Sequence, residues 1–148
     1  MTSFFKLAGY DYDEPSGDIS IEHEDGGIRL FVQVCAGTEN EAIDYECQEA
    51  SVEHTEGIFF KVQSLTELVG RRFVWDTPEN EYGYAGTLNV VEYEQINKAE
   101  FMIESINDGT AIVYWKGIGD IRWGEEFGTD VPFETRVAIP LPDSALSD

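Results

Sequence analysis

The sequence predicts an all-β protein, a mostly antiparallel sandwich or barrel with one short helix near residues 64–70. Two observations carry that prediction. Apolar residues recur with period two in segment after segment, which is the signature of strands that bury one face. Turn-forming residues interrupt those segments at roughly eight- to twelve-residue intervals, the spacing of sandwiches and barrels. A chain of 148 residues that is 42% apolar, with nine Phe, seven Tyr and three Trp, is long enough to bury a core without a metal or disulfide. We read residues 1–148 as one domain.

The elements follow in order. Asp18 to Glu24 alternates, with Ile19, Ile21 and His23 on one face. Asp25-Gly26-Gly27 then supplies the positive φ angles of a tight hairpin. Ile28, Leu30, Val32 and Val34 line one side of the return strand, which ends at Cys35. Residues 57–63 form a short strand. Ser64-Leu65-Thr66-Glu67 has capping-box spacing, with Leu65 and Leu68 as a small apolar face and Gly70 as a stop. Arg71 to Trp75 is the next strand, and 76–83 is a loop by composition. Thr87 to Gln95 and Lys98 to Ser105 are expected as neighbouring strands. Asn107-Asp108-Gly109 turns the second of these into Thr110 to Trp115. Phe133, Thr135, Val137, Ile139 and Leu141 alternate against Glu134, Arg136 and Ala138. Order is expected to end at Pro140-Leu141-Pro142, with the tail from about residue 143 frayed.

Residues 39–56 hold seven carboxylates and no Lys or Arg. At helical spacing Ile43, Cys47 and Ala50 share a face but Tyr45 and Val52 do not. As a strand with a bulge near Gln48-Glu49, Ile43, Tyr45, Cys47, Ala50, Val52 and His54 share one face. The surrounding β pattern favours the bulged strand. Its carboxylates then stand together on the outward side.

Charge is the main handle on function. Thirty acids against nine bases give −21, and the excess is uneven: residues 1–57 carry 14 acids against Lys6 and Arg29. Such a field disfavours nucleic acid and anionic membranes and favours a basic protein partner. The N-terminus lacks the basic and apolar regions of a signal peptide, and no apolar run is long enough for a membrane span, so a cytoplasmic location is expected. Cys35 and Cys47 are read as reduced thiols.

Catalytic patterns are weak. Asp120 and Glu125-Glu126 around Trp123 have the residue types of a glycosidase acid pair, but adjacent strand glutamates point to opposite faces. His23 and His54, each among carboxylates, would meet in a metal site only if their strands paired, and both fall in phase with apolar neighbours. No nucleophile elbow, phosphate loop or dinucleotide fingerprint is present. We therefore assign no catalytic residue, metal ligand or cofactor. Partner-binding residues are expected at Asp44, Glu46, Glu49 and Glu53 on the acidic segment, with Trp123 and Glu125 from the Trp- and Gly-rich stretch 115–128.

In size, acidity and fold class the whole chain resembles bacterial immunity proteins, which neutralise cationic toxins. That resemblance implies a non-enzymatic inhibitor of a basic protein and carries over no particular residue. Two other readings stand beside it. A DNA mimic of the anti-restriction type would spread its acids over one long continuous face. A small-molecule or glycan-binding β domain would gather Trp115, Trp123 and Tyr82 around a pocket.

Overall fold

The computed structural model describes residues 2–121 and 128–142. Twelve strands make up nearly all of its regular structure: β1 Phe4–Leu7, β2 Tyr10–Glu24, β3 Gly27–Gly37, β4 Glu49–Glu53, β5 Ile58–Phe60, β6 Arg72–Trp75, β7 Glu79–Asn80, β8 Gly83–Tyr84, β9 Thr87–Val90, β10 Glu92–Asn107, β11 Thr110–Gly119 and β12 Val131–Pro140. Eight of them close an antiparallel barrel in the order β11-β12-β1-β2-β3-β4-β9-β10, with β10 pairing back to β11. The fold is all-β, and a barrel rather than a sandwich.

Closure has a local cause. A barrel needs strands that bend, and bulges supply bends. The β2–β3 ladder shifts register between Asp13 and Ser16. β10 shifts twice against β11, at Ile96/Lys98 and at Ile103/Ser105. Through these bends β10 pairs with β9 over Glu92–Gln95 and with both β11 and β6 further on. One strand thus belongs to two walls.

The expected hairpin forms with Glu24 opposite Gly27 and Gly26 at φ +87°. Asn107 likewise faces Thr110 across a turn with Asp108 at φ +51°. Inside the barrel the alternation is as expected: Val32 and Val34, Val113 and Trp115, and Phe133, Thr135, Val137 and Ile139 are all buried. β5 continues alongside β3 where β4 ends, and β6 lies on β10. Phe60 and Phe73 meet with ring centroids 4.6 Å apart, and Tyr82 packs on both. The Trp75 indole N–H donates to the Gly83 carbonyl at 2.9 Å.

Several expectations need correcting. The helix near 64–70 is a 3-10 turn of four residues, Leu65–Leu68, with Leu65 and Leu68 buried. Glu67 Oε2 accepts from the backbone N–H groups of Gln63 and Ser64, as the capping-box spacing implied. Residues 87–95 are not one strand: the chain reverses at Val91, so that Glu92 lies opposite Val90.

The acidic segment is not a bulged strand either. It is a loop and a 3-10 turn, Tyr45–Cys47, followed by β4. Side chains take the place of a strand neighbour there. Asn40 Oδ1 accepts from the Ala42 N–H, and the Gln48 amide donates to the Asn40 and Ile43 carbonyls. The Tyr12 hydroxyl donates to the Cys47 carbonyl at 2.7 Å. Ile43 and Cys47 are buried as expected, but Tyr45 points to solvent and is 87% exposed. The frayed tail expected from residue 143 lies outside the described residues.

Candidate functional site

The pleat that turns Val34 and Ala36 into the core turns Cys35 and Gly37 outwards. Strand register extends this position into a row across five strands: Ser16, Cys35, Ser51, Asn89 and Tyr93. Its first four side chains are short and neutral. They floor a concavity of about 600 Å³, which adjoins a second of about 920 Å³ and shares Glu14, Gly37, Glu46 and Glu49 with it. Asn89 Nδ2 donates to Ser51 Oγ at 3.0 Å and, at 3.4 Å, to Glu53 Oε1. Asn89 Oδ1 is buried and accepts no hydrogen bond.

Carboxylates form the rim. Glu46 comes from the 3-10 turn, Glu49 from the start of β4, Glu14 from the β2 bulge and Glu92 from the start of β10. Asp13 and Glu39 line the adjoining concavity. Among them stand three exposed apolar side chains: Tyr45, Tyr93 at 73% and Val91 at 51% exposure.

Two rim positions are strained. Glu14 sits at φ +49° and Val91 at φ +68°. A β-branched residue pays most in that region, because its Cβ substituents crowd the backbone. Among the described residues, Ala8, Asp108 and Asp130 also have positive φ and, like Val91, lie in turns that lead into a strand, whereas Glu14 sits within β2. Backbone strain of this kind gathers at binding sites.

The field at the floor is negative throughout. Burial raises the Cys35 thiol above its ordinary pKa, and Asp18, Glu53 and Glu49 raise it further. Cys35 is exposed rather than held in an apolar strand interior, and neither it nor Cys47 is bridged. A thiol kept protonated is a poor nucleophile.

Of the residues expected to bind a partner, Glu46 and Glu49 converge on the shared rim. Glu53 faces a neighbouring concavity with Asp18. Asp44 directly precedes the 3-10 turn Tyr45–Cys47, without a capping hydrogen bond from its side chain. Trp123 and Glu125 lie outside the described residues. Sequence reasoning missed Glu14, Glu92, Tyr45, Val91 and Tyr93. A signal for the two tyrosines was present: Asp44-Tyr45-Glu46 and Glu92-Tyr93-Glu94 each set an aromatic between two acids.

The histidines are far apart in character. His23 is exposed beside the β2–β3 turn. His54 is buried, stacked on Trp115 with centroids 4.1 Å apart and edge-on to Phe101. Neither His54 nitrogen has a hydrogen-bond partner, and burial lowers its pKa from 6.5 to about 3. It is a neutral core residue. Among the described residues no group of three or more His, Cys, Asp or Glu is placed to hold a metal. Asp120 accepts from the Asp130 N–H at 3.0 Å and shapes the β11–β12 connection. Trp115 fills the core, and Tyr82 belongs to the aromatic cluster with Phe60 and Phe73. Among the described residues no helix is long and apolar enough to cross a membrane.

Comparison with protein-family models, with curated proteins and with solved structures found no match to this chain.

Proposed function

We propose that this chain is a binding protein that docks a basic protein surface on the acid-rimmed face, as an immunity-type inhibitor of a cationic toxin would, in the cytoplasm. The observation that carries the reading is the placing of Tyr45 and Tyr93, both exposed, among Glu14, Glu46, Glu49 and Glu92. Tyrosine is over-represented at the energetic centres of interfaces, because one rigid ring covers much area at low entropic cost. Carboxylates about 7 Å apart repel by roughly 0.6 kcal/mol in water. The rim therefore adds nothing to the free protein's stability. Opposite Lys and Arg of a partner, the same charges accelerate association and select the orientation.

The DNA-mimic reading needs one continuous acidic face, and the surface of β1, β11, β12 and β10 from Lys98 onward mixes bases and acids instead. The aromatic-pocket reading loses Trp115 and Tyr82 to the core and its margin.

The test is capture from the native host over a salt series. A basic protein should bind and elute with salt. Glu14, Glu46, Glu49 and Glu92 together changed to Lys should weaken it by at least about 100-fold, and Tyr93→Ala by about tenfold or more. Capture that ignores the four reversals sinks the proposal.

A further inference from the structure

The outer surface of β10, β11, β12 and β1 is unlike the acid-rimmed face. Leaving aside Glu92 and Glu94, where β10 runs beside β9, its charged side chains are Lys98, Glu100, Glu104, Lys116, Glu134, Arg136 and Lys6, four bases and three acids in a chain of net charge −21. Strand register sets the outward residues in rows that cross the strands. One row reads Met102, Tyr114, Arg136, Phe4; the next reads Glu100, Lys116, Glu134, Lys6; the third has Lys98, Ile118 and Pro132.

The first two rows complement their own reverse, and the third does so at its centre. Laid against itself end for end, the middle row sets Glu100 against Lys6 and Lys116 against Glu134. The first row sets Tyr114 against Arg136 and Met102 against Phe4. The third sets Ile118 against Pro132. These are opposite charges, a cation on an aromatic ring, and apolar on apolar. A two-fold axis parallel to the strands, between β11 and β12, performs that reversal, and an isologous interface requires it. We propose that this face is a homodimer interface, on which a second copy of the chain docks about that axis.

Three further observations support a second copy as the occupant. The side chains are already held in place: Glu100 pairs with Arg72 and with Lys116, Arg136 pairs with Glu104 at 2.7 Å, and the Tyr114 hydroxyl donates to Glu134 at 2.5 Å. Ordering them on docking therefore costs little. A groove of about 560 Å³ between the second and third rows has mostly apolar walls, with Val74 at its end. The axis lays this groove over its counterpart. Elsewhere the net negative charge repels another copy.

Four strands about 4.8 Å apart and three rows about 7 Å apart give a footprint of roughly 20 by 15 Å. At about 300 Å² per copy that is well below the ~800 Å² per partner of a standard interface, so the dimer is weak and depends on concentration. It leaves the acid-rimmed faces of both copies free.

Sedimentation equilibrium of the full chain at physiological salt tests this. The mass should rise from monomer towards dimer between roughly 1 μM and 1 mM. Lys116→Glu alone and Glu134→Lys alone each set like charges across the axis, and each should weaken the dimer at least about tenfold. Mixing the two variants in equal amounts restores opposite charges at both symmetry-related contacts, so the mixture should dimerise again. Thermal melts show whether each variant is folded; if one is not, Lys6→Glu and Glu100→Lys, at the ends of the same row, replace the pair. A monomer throughout the range, a dimer indifferent to the substitutions, or no recovery on mixing overturns the proposal.

Discussion

Two outward faces of one barrel differ in charge while their inward faces are built alike. Residues 10–57, from β2 through β4, carry 14 acids and Arg29 as the single base, itself paired with Glu24 at 2.7 Å. Across the barrel, the acids of β12 and of β10 beyond Lys98 have partners: Glu100 with Arg72 and Lys116, Glu104 with Arg136, Glu134 with the Tyr114 hydroxyl. Beneath both faces the core is the same kind of packing, Val34 and Val52 on one side, Val113 and Val137 on the other. The difference shows that the outer rows of a barrel are free to diverge once the inner rows are apolar. Exposed ion pairs contribute only about 0–1 kcal/mol each, so stability does not dictate where charges go.

The two halves join inside at His54, which follows β4 and stacks on Trp115 of β11. A large pH-dependent effect is predicted there. With its pKa held at about 3 against an ordinary 6.5, the buried imidazole refuses a proton that the unfolded chain accepts. Its stabilisation is complete above pH 6.5 and is lost as pH falls towards 3, by up to about 1.4 kcal/mol per pH unit. His54→Leu should remove that slope, because the surrounding rings of Trp75, Phe101 and Trp115 carry no charge. Urea unfolding at pH 7 and pH 5 reads it as a difference of about 2 kcal/mol between the two proteins. Parallel slopes would refute it.

Single positions on the two walls, Gly117 and Gly37, should also differ in their tolerance of bulk. A Cβ on Gly117 would stand 2.2 Å from the Lys98 carbonyl oxygen, whereas one on Gly37 meets nothing closer than the Gln48 carbonyl at 3.6 Å. Gly117→Ala should cost about 2–3 kcal/mol by forcing β10 and β11 apart. Gly37→Ala, on the acidic side, should stay within about 0.5 kcal/mol of the parent. Denaturant midpoints of the two variants check this, and equal losses would refute it.

The smallest effect concerns strain. Val91→Gly should relieve its positive φ and raise stability by about 1 kcal/mol. If Val91 is part of the docking face, the same change weakens capture of the basic partner. A variant that binds as well as the parent would leave the strain without a function.

Much of the barrel was legible because inward positions repeat every second residue. The β2–β3 hairpin, the Asn107–Thr110 turn and the alternation from Phe133 to Ile139 followed directly. Residues 39–56 did not, because two periodicities are spliced there: Ile43 and Cys47 obey a helical spacing, while Ala50 and Val52 obey a strand spacing. The join was hidden because the groups that replace a strand neighbour come from Asn40, Gln48 and Tyr12. Tyrosines between acids show the same limit. Tyr12, Tyr45 and Tyr93 have indistinguishable flanks, yet Tyr12 is 4% exposed and the other two are at the surface.

By itself the sequence determined the β class, the hairpin turns, most inward residues and the excess of acid, since each depends on neighbours within a few positions. Only the tertiary structure decided that the sheet closes into a barrel, that Glu14, Glu46, Glu49 and Glu92 meet, and that Glu100, Lys116, Glu134 and Lys6 alternate across four strands. Those are matters of register between segments as much as 130 residues apart, as where Lys6 faces Glu134. Register is set by how bulges and core side chains fit across strands, and no local pattern encodes it.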